Sequence, residues 1–317
     1  MKKLLLVLLV ALVVFVTGIY LFIPSNLTIS SATTVKTTDN GVERFVMDES
    51  KWALWWHYKN PYEATYLKAP ATFFNTNGDD FSMGDKFYKS VAIHIKHHEQ
   101  QLDSKLLVVR LALDSTGIEW KCMMEAGSNP FSRFSNYLQA KQVKQNMDEV
   151  LANLKGFLSK DENVYGIPIE RNYLKDTLYV TAKTVVTAYP STQTIYELIK
   201  KIKAYITANG GNQTGSPIFH VTDFGNHQLQ LMAGVPTDKN MAEKDGFNVK
   251  HMVRGSFMIT EVVGGDYSID KASKILQQYF SDYHKTSMAM NFTMLVTDRI
   301  LQPDSSKWIT KLYQPVY

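Results

Sequence analysis

The most regular pattern in the chain is an uncharged apolar run from Leu4 to Ile23, which directly follows Lys2 and Lys3. About 20 residues in a helix span about 30 Å, the thickness of the hydrocarbon core of a bilayer. A cleaved signal peptide has an apolar region of about 7–15 residues that ends at a small-x-small site, whereas this run ends in LFIPSN. The pattern therefore favours an uncleaved signal anchor over residues 1–24, with a cleaved signal peptide as the alternative.

The charges beside this run predict how the chain is oriented in a membrane. Lys2 and Lys3, at its N-terminal end, are expected to stay in the cytoplasm. Pro24 ends the helix on the other side. We therefore expect a single-pass protein of the bacterial cell inner membrane, with the remaining residues outside the cytoplasm.

Residues 25–162 are predicted to form one domain. β-branched residues predict a strand over 27–38, and residues 40–56 show a helical pattern. Within that pattern Asp48 or Ser50 could cap a second short turn. Several strand-like runs, separated by turn signals, follow over 70–125 and indicate an antiparallel meander. Apolar residues then recur at helical spacing over 132–160, which is the pattern of a long amphipathic helix.

Residues 163–317 contain an internal repeat of the order strand, helix, strand, strand. The two helices are predicted over 191–208 and 268–284, and the tripeptide Val-Thr-Asp follows each of them, at 221–223 and 296–298. Two such units normally pair their sheets around a pseudo-twofold axis. A cleft at that axis, with strands as its floor and helices as its walls, is a natural ligand site.

Length and composition limit the classes of function. A chain of 317 residues favours about two domains, and 45% hydrophobic with 20% charged residues is typical of a folded protein. The net charge of +4, without a basic run after the first three residues, predicts no nucleic-acid partner. The single cysteine, Cys122, excludes an internal disulfide. It lies in the strand-like run EWKCMMEA and is expected to act as a small hydrophobe.

Residues 27–160 resemble the START-like superfamily, which includes the polyketide cyclases and dehydrases and is also called SRPBCC. The likeness rests on a strand, a helix that ends in KWALWW, a meander that contains STGIEW, and the long helix QAKQVKQNMDEVLANLKGFLSK. It implies a helix-grip fold, in which a curved antiparallel sheet wraps around the C-terminal helix and encloses an apolar cavity.

Residues 167–317 are similar to the GyrI-like domain, also called the AraC-type effector-binding domain. The likeness rests on the duplicated β-α-β-β order and on the ending DRILQPDSSKWITKLYQPV. It implies binding of amphipathic or cationic small molecules in the cleft between the two halves. Many members carry a glutamate in the strand before the proline turn. Thr297 takes that place here, and Asp298 faces the opposite way on the strand, which weakens the case for cation recognition and for catalysis.

Together these patterns predict the α+β class. One transmembrane helix over 1–24 precedes a helix-grip antiparallel sheet domain over 25–162 and a duplicated β-α-β-β, GyrI-like domain over 163–317. The predicted function is that of a membrane-anchored binding protein for hydrophobic or amphipathic small molecules, and no protein partner is indicated. The alternatives are a small-molecule hydrolase or cyclase that acts in one of the two clefts, and an interaction module whose pockets are closed.

Three of the five tryptophans lie within KWALWW. On a helix Trp52, Trp55 and Trp56 share one face, because they are three and four positions apart. One interpretation is that they seal the helix against the sheet of the first domain. The alternatives are that Trp55 and Trp52 line the mouth of its ligand cavity, or that the group lies at the membrane interface. Trp52 and Trp56, one turn apart, are expected to be buried together.

Candidate ligand-binding residues of the second cleft come from its predicted strands and helix faces. Strand alternation places Phe219, Val221 and Asp223 on one face, and His220 and Thr222 on the other. The pattern does not decide which face lines the cleft, and core packing is an alternative for each aromatic residue. The candidates are Tyr179, Phe219, His220, Tyr279, Phe292, Thr297, Trp308 and Tyr313.

Residues suited to metal or covalent chemistry do not form a recognisable motif. In HIKHH, His94 and His98 share a strand face about 13 Å apart, too far for one metal ion, and a solvated basic strand end is expected there. The sequence has no nucleophile elbow, phosphate loop, dinucleotide fingerprint or zinc motif. We therefore expect no catalytic residue, metal or cofactor. The enzyme alternative requires a cleft carboxylate from Asp223, Glu261 or Asp298.

Overall fold

The structure is a computed structural model, in which the chain divides into two compact units, residues 1–164 and 165–317. The first residues of the predicted meander, 70–73, lie outside the described part of the chain. The structure describes residues 2–57, 74–174, 177–244, 246–252, 254–287 and 289–316.

The first unit is built around one antiparallel sheet. Its helices and strands, up to the boundary with the second unit, are α1 (Lys2–Phe22), β1 (Asn26–Val35), α2 (Asp39–Val46), α3 (Trp52–Trp55), β2 (Phe74–Thr76), β3 (Asp79–Phe87), β4 (Ser90–His97), β5 (Gln100–Ala112), β6 (Ser115–Glu125), α4 (Pro130–Leu158) and α5 (Asp161–Tyr165). The six strands form a sheet in the order β1-β6-β5-β4-β3-β2.

Helix α4 packs on this sheet, and a local signal explains where it begins. The side chain of Asn129 accepts a hydrogen bond from the backbone N–H of Ser132 at 2.7 Å, and Pro130 occupies the first turn. The buried face of α4 includes Met147 and Leu151, and the helix contacts β1 and β6. A sheet that packs on a long C-terminal helix is the helix-grip arrangement that the sequence predicts.

The predicted helix over 40–56 is interrupted in the structure. Helix α2 ends at Val46, and a 3-10 turn over Glu49–Lys51 leads into α3. Between them the Asp48 carboxylate accepts a hydrogen bond from the backbone N–H of Ser50 at 3.2 Å. A short acidic side chain that bonds to the backbone two residues on favours a turn over a continuous helix, which accounts for the break.

Helix α1 contains the apolar run. The segment Lys3–Phe22 is long and apolar enough to cross a membrane. A signal sequence near an N-terminus has the same length and apolar composition. Near its C-terminal end the Tyr20 hydroxyl donates a hydrogen bond to the Ser128 carbonyl at 2.8 Å. The guanidinium of Arg133 lies 4.7 Å from the centroid of the Tyr20 ring. Helix α1 therefore contacts the N-terminal end of α4.

The second unit is also built around one antiparallel sheet. Its helices and strands are β7 (Glu170–Leu174), β8 (Leu178–Val186), α6 (Thr192–Ala208), β9 (Ile218–Gly225), β10 (Gln228–Pro236), β11 (Phe247–His251), β12 (Gly255–Val263), α7 (Asp266–Asp282), β13 (Phe292–Leu295) and β14 (Ile309–Val316). The strand order β11-β8-β10-β9-β13-β14-β12-β7 is symmetric about the contact between β9 and β13. The predicted duplication of a β-α-β-β unit is thus confirmed.

The sequence offset between the two repeats differs from the offset between the two Val-Thr-Asp tripeptides. Helices α6 and α7 each have 17 residues, and their first residues, Thr192 and Asp266, are 74 positions apart. The two Val-Thr-Asp runs are 75 positions apart, and the first lies in β9 whereas the second follows the end of β13. The prediction that they occupy the same place is therefore wrong. With the offset of the helices, Phe219 and Thr293 are equivalent, and they pair directly across β9 and β13.

The two faces of the second sheet bury different residues. Phe219 and Leu231 pack with Ile199 of α6 on the face that the helices cover. Tyr179 and Phe257 belong to one buried cluster on the other face, although four strands separate β8 from β12 in the sheet order. Such an approach requires the sheet to curl, so the face without helices is concave.

Candidate functional site

A groove of 410 Å³ lies between α6 and α7, above the centre of the second sheet. We call it the central groove. Phe219 of β9, Thr293 of β13 and Leu312 of β14 form its floor, whereas Ile195 of α6 and Ile269 of α7 line its walls. Its position, with strands below and helices on both sides, is that of the cleft predicted from the repeat.

The central groove continues into a second space of 180 Å³. This space reaches His220 and Asn291 at the point where β9 and β13 separate. These two strands pair through only two residue pairs in the part of the chain that the structure describes, so the sheet opens beside the axis. The residues that line both spaces are Tyr189, Phe219, Ser273, Thr293 and Leu312.

Arg299 places a buried positive charge beside the groove. It is 6% exposed. Its Nη2 donates a hydrogen bond to Thr310 Oγ1 at 3.1 Å, and its Nη1 lies 3.6 Å from a carboxylate oxygen of Asp266. The guanidinium lies 4.5 Å from the ring centroid of Trp308, and its buried Nε has no hydrogen-bond partner among the described residues. Burial lowers the pKa of Arg299, an effect that the Asp266 carboxylate opposes.

Two carboxylates belong to the wall that α7 provides. Asp266, Asp270 and Ser273 share one helix face, because they are four and three positions apart, and all three line the groove. The side chain of Asp266 is 83% exposed. Asp270 accepts a hydrogen bond from Lys274 Nζ at 2.7 Å. The groove thus combines an apolar floor with two negative charges and one positive charge, all near α7.

The end of the groove near β9 offers neutral polar groups. Burial lowers the pKa of His220, and hydrogen bonding with Asn291 opposes that shift. An imidazole with a lowered pKa is uncharged at neutral pH, with one ring nitrogen as a donor and the other as an acceptor. This end can therefore form hydrogen bonds with a ligand without attracting either sign of charge.

The structure brings four of the predicted ligand-binding residues together. Phe219, His220, Phe292 and Tyr313 all line the second space of the groove. The rings of Phe292 and Tyr313 are stacked, with centroids 4.6 Å apart. Tyr179 lines a different cavity, on the concave face of the sheet, together with Phe292.

The other three predicted residues of this unit form contacts elsewhere. Tyr279 is buried in a cluster of tyrosine rings. Thr297 Oγ1 accepts a hydrogen bond from the backbone N–H of Ile309 at 2.9 Å. Trp308 Nε1 donates to the Gln302 carbonyl at 2.7 Å. Ligand contact by any of the eight candidates stays a prediction.

The tryptophans of KWALWW lie in the core of the first unit. Trp52, Trp55 and Trp56 are 0%, 1% and 0% exposed. Trp52 and Trp56 stack with ring centroids 4.9 Å apart, as expected for a buried pair. Trp55 Nε1 donates to the Phe45 carbonyl at 3.2 Å, and the Trp56 ring lies 5.1 Å from that of Phe81 in β3. This packing favours the interpretation that they seal the helix against the sheet, and a ligand role for Trp52 and Trp55 stays a prediction.

The carboxylates that the enzyme alternative requires are bonded elsewhere. Asp223 accepts a hydrogen bond from the backbone N–H of Gly225 at 2.8 Å. Glu261 lies 3.3 Å from Lys311 Nζ, and Asp298 accepts from a backbone N–H two residues on. Among the described residues, the carboxylates that line the central groove are the two aspartates of α7, which the sequence patterns did not single out.

Several lining residues were missed from the sequence, for different reasons. Asp266, Asp270 and Ser273 form a polar stripe at positions i, i+4 and i+7 of a helix, so helical spacing could have found them. Thr293 needed the repeat to be aligned by its helices rather than by the tripeptide. Arg299 lies in a loop, and its burial depends on contacts with the following strand, for which no local pattern exists.

The histidine-rich end of β4 differs from the expected solvated strand end. His97 is buried, and its Nδ1 lies 2.5 Å from a carboxylate oxygen of Asp79, which replaces water as its partner. His94 contacts Asp103 at 2.8 Å. Within the described ranges, no three His, Cys, Asp or Glu side chains are grouped to hold a metal ion. Burial raises the pKa of the Cys122 thiol to about 12, so this cysteine stays protonated.

Comparison with known proteins finds solved structures that are similar to this chain at low identity, among them the following three. No family model and no curated protein matches the chain. The C-terminal domain of EcmrR matches 48% of this chain and 98% of its own length, with 14% identity and a TM-score of 0.42. SAV2435 bound to tetraphenylphosphonium matches 48% and 94%, with 16% identity and a TM-score of 0.33. A START superfamily protein from Mycobacterium smegmatis matches 41% and 96%, with 11% identity and a TM-score of 0.29. The function of this chain is therefore inferred from its own residues.

Proposed function

We propose that this chain is a membrane-anchored protein that binds amphipathic small molecules in the central groove. The observation that carries the proposal is the groove itself. It is a space of 410 Å³ at the axis of a duplicated sheet, with an apolar floor and charged groups on one side. Sites for small molecules typically measure about 300–1,000 Å³ and combine an apolar lining with a few polar groups.

The floor and the charged wall suit different parts of a ligand. A ring or chain that covers Phe219 and Leu312 contributes about 25 cal/mol for each Å² of apolar surface removed from water. A positively charged end beside Asp266 and Asp270 adds about 0.2–1 kcal/mol, because these carboxylates are exposed. Arg299, the one cation among the described lining residues, already faces Asp266. A ligand with a positively charged end is therefore favoured over one with a negatively charged end. The attraction comes from the aspartates of α7, and not from position 297, where many GyrI-like domains carry a glutamate.

Contacts between α1 and α4 support retention of the apolar helix as an anchor. The Tyr20 hydroxyl is bonded to the Ser128 carbonyl, and the ring centroids of Phe15 and Phe134 are 6.5 Å apart. A segment that is removed during export gains nothing from such contacts with the folded domain, whereas an anchor is positioned by them.

An exposed apolar ridge continues from this contact along α4. Phe131, Phe134 and Leu138 share one helix face, because they are three and four positions apart. Phe131 is 82% exposed. Apolar and aromatic side chains beside a spanning helix are stabilised by insertion into the interfacial region of the bilayer. The ridge is therefore expected to rest on the membrane surface.

Photo-cross-linking of the full chain in membranes tests the binding site. A decyl trimethylammonium probe with a diazirine in its chain is irradiated with the protein, and labelled residues are mapped by peptide mass spectrometry. Labels are expected on peptides that contain Phe219 or Leu312. Thr293→Trp fills the floor and should abolish them, whereas Thr222→Trp, the same change at an exposed position of β9, should not.

Two results would argue against a binding groove. Labelling could be spread over the protein surface, or it could survive the Thr293→Trp substitution. Competition by unlabelled decyl trimethylammonium, decanol and decanoate then ranks the head groups. The cation should compete best, by roughly two- to five-fold over decanol, as the modest worth of exposed carboxylates implies.

The anchor is tested separately from the groove. An epitope tag ahead of Met1 should stay on the mature chain, and the tagged chain should resist extraction by carbonate. Recovery of an untagged, extractable chain would instead identify α1 as a cleaved signal peptide. That outcome would leave the groove proposal intact.

A further inference from the structure

The concave face of the second sheet contains its own cavity, of 200 Å³, on the side opposite to α6 and α7. Tyr179 of β8, Ile218 of β9 and Phe257 of β12 line it. Met252 and Met290, from the segments that precede β12 and β13, also contribute to its lining. The curl of the sheet brings these distant strands together, so the cavity is a product of the whole fold.

Its walls are mainly aromatic rings and thioethers. Phe257 and Phe292 meet edge to face, with ring centroids 5.7 Å apart. Met232, Met252 and Met290 also line the cavity. Methionine side chains are flexible and polarisable, so such walls adapt to guests of different shape. A space lined in this way offers little to water and favours an apolar guest.

Polar groups at one end restrict the kind of guest. Lys250 is the register partner of Tyr179 between β11 and β8, so the ammonium and the phenol project from the same face. His251 follows on the same lining. Burial, with a contribution from Tyr313, raises the pKa of Tyr179 to about 12, so its hydroxyl stays protonated and can donate a hydrogen bond. The described lining residues include no aspartate or glutamate.

We propose that this cavity is a second binding site, which prefers small amphipathic carboxylates. The carboxylate accepts from the Tyr179 hydroxyl and lies near Lys250, while the apolar part packs against Phe257 and Phe292. A cavity of about 150 Å³ is known to accept benzene, so 200 Å³ accommodates one ring with a short chain. The two faces of one sheet then select opposite charges, since the groove on the helical face has two aspartates.

Methyl NMR of the full chain in phosphatidylcholine nanodiscs tests this site directly. The chain has 13 methionines. Met232, Met252 and Met290 line the cavity, whereas the described lining of the central groove contains no methionine. Methionine labelled at its methyl carbon is titrated with 4-phenylbutyrate, 4-phenylbutanol and 4-phenylbutylamine, which share one apolar body and differ in charge. Signals are assigned by single substitutions.

The three cavity methyls are expected to respond most strongly to the carboxylate. Because Lys250 is exposed, its attraction is modest, and the Kd for the butyrate should be about two- to five-fold below that for the alcohol. The amine should bind most weakly. Lys250→Met should raise the Kd for the butyrate to that of the alcohol and leave the alcohol unchanged.

A variant that fills the cavity provides the second arm. Met232→Trp should remove the response of Met252 and Met290 to all three compounds. An unchanged signal from Met241, which packs on the α6 side of the sheet, shows that the unit is still folded. Met123→Trp, at an exposed position of β6, is the matched control and should not alter the response.

Three results would overturn the second site. The amine could bind as tightly as the butyrate, the response could survive Met232→Trp in a folded protein, or the shifts could be confined to methionines outside the cavity. None of them bears on the central groove, because cross-linking there reports on other residues.

Discussion

Replacing Arg299 by methionine distinguishes a structural ion pair from an electrostatic component of the groove. Methionine keeps an unbranched, flexible side chain but carries no charge. The substitution removes the hydrogen bond to Thr310 Oγ1 at 3.1 Å, the stacking on Trp308 and the pairing with Asp266. It also removes a buried guanidinium whose Nε has no partner among the described residues.

The favourable contacts of Arg299 and the cost of burying its charge nearly cancel in the free energy of unfolding. A hydrogen bond from a charged group contributes about 1.5–3 kcal/mol. The contact with Trp308 contributes about 0.5–2 kcal/mol, because the guanidinium is buried. Asp266 is 83% exposed, so its pairing contributes at most about 1 kcal/mol. Against this, the buried charge costs several kcal/mol in desolvation, of which the unpaired Nε is about 1–3 kcal/mol. We expect Arg299→Met to change the stability by less than about 1.5 kcal/mol, and Arg299→Ala, which also leaves a cavity, to lower it by about 2–5 kcal/mol.

Two assays on the same variants separate stability from binding. Urea unfolding of the full chain in nanodiscs, with pulse proteolysis to follow the second unit, measures the free energy. Competition in the cross-linking assay measures the affinity for the decyl cation, which Arg299→Met should increase about two- to five-fold, because two aspartates then lack a nearby cation. A loss above about 3 kcal/mol in the methionine variant would refute the cancellation. Weaker cation binding in a stable variant would refute the electrostatic role.

Three other perturbations probe the core, a half-buried histidine and the membrane surface. Phe219→Ala should lower the free energy of unfolding by about 3–5 kcal/mol, because the ring is part of the core beneath α6. The rate of amide hydrogen exchange in β9 and β10 should rise accordingly. An unchanged exchange rate would show that the groove floor is not part of that core. Because burial lowers the pKa of His220 below its unfolded value of about 6.5, the unfolded state binds more protons on acidification. The free energy of unfolding of the second unit should therefore fall as the pH drops below about 6.5. In His220→Asn, urea unfolding should show a smaller dependence of this free energy on pH in that range. The same pH dependence in both proteins would contradict a lowered pKa of His220. A nitroxide at Phe131→Cys should be more accessible to oxygen than to an aqueous nickel chelate. A nitroxide at Leu111→Cys, an exposed apolar position near the opposite end of the first sheet, should show the reverse. An equal ratio of oxygen to nickel accessibility at both positions would exclude the ridge from the bilayer.

Short-range patterns predict the elements of this chain well, because helix and strand periodicities are local properties. The helix predicted over 191–208 occupies Thr192–Ala208, and the repeated β-α-β-β order is as the sequence indicates. The interruption within 40–56 falls at Asp48, one of the two residues that could cap a second short turn. The apolar pattern continues across Asp48, but the bond from its carboxylate to the backbone of Ser50 ends the helix.

The candidate site depends on interactions that no local pattern contains. Strand alternation predicts opposite faces for Phe219 and His220, yet both line the second space of the groove, and the face that meets the helices is decided by how α6 packs. Tyr179 and Phe257 share a cavity because the sheet curls across four intervening strands. Arg299 is buried by contacts with the strand that follows its loop. In each case the decisive partner lies in another element of the fold. The sequence could therefore nominate candidate residues, but it could not show which of them share one site.

The duplicated scaffold is symmetric, whereas the chemistry of its groove is not. The equivalent positions on the axis hold Phe219 in the first half and Thr293 in the second, and these two residues pair directly. Among the described lining residues of the main groove, every charged side chain, namely Asp266, Asp270 and Arg299, comes from the second half. The first half contributes apolar, aromatic and hydroxyl-bearing surface. A symmetric ligand would place identical groups against unlike halves, so one of its ends would always meet an unsuitable wall. An amphipathic ligand avoids this conflict in one orientation, with its charged end toward α7 and its apolar end toward α6.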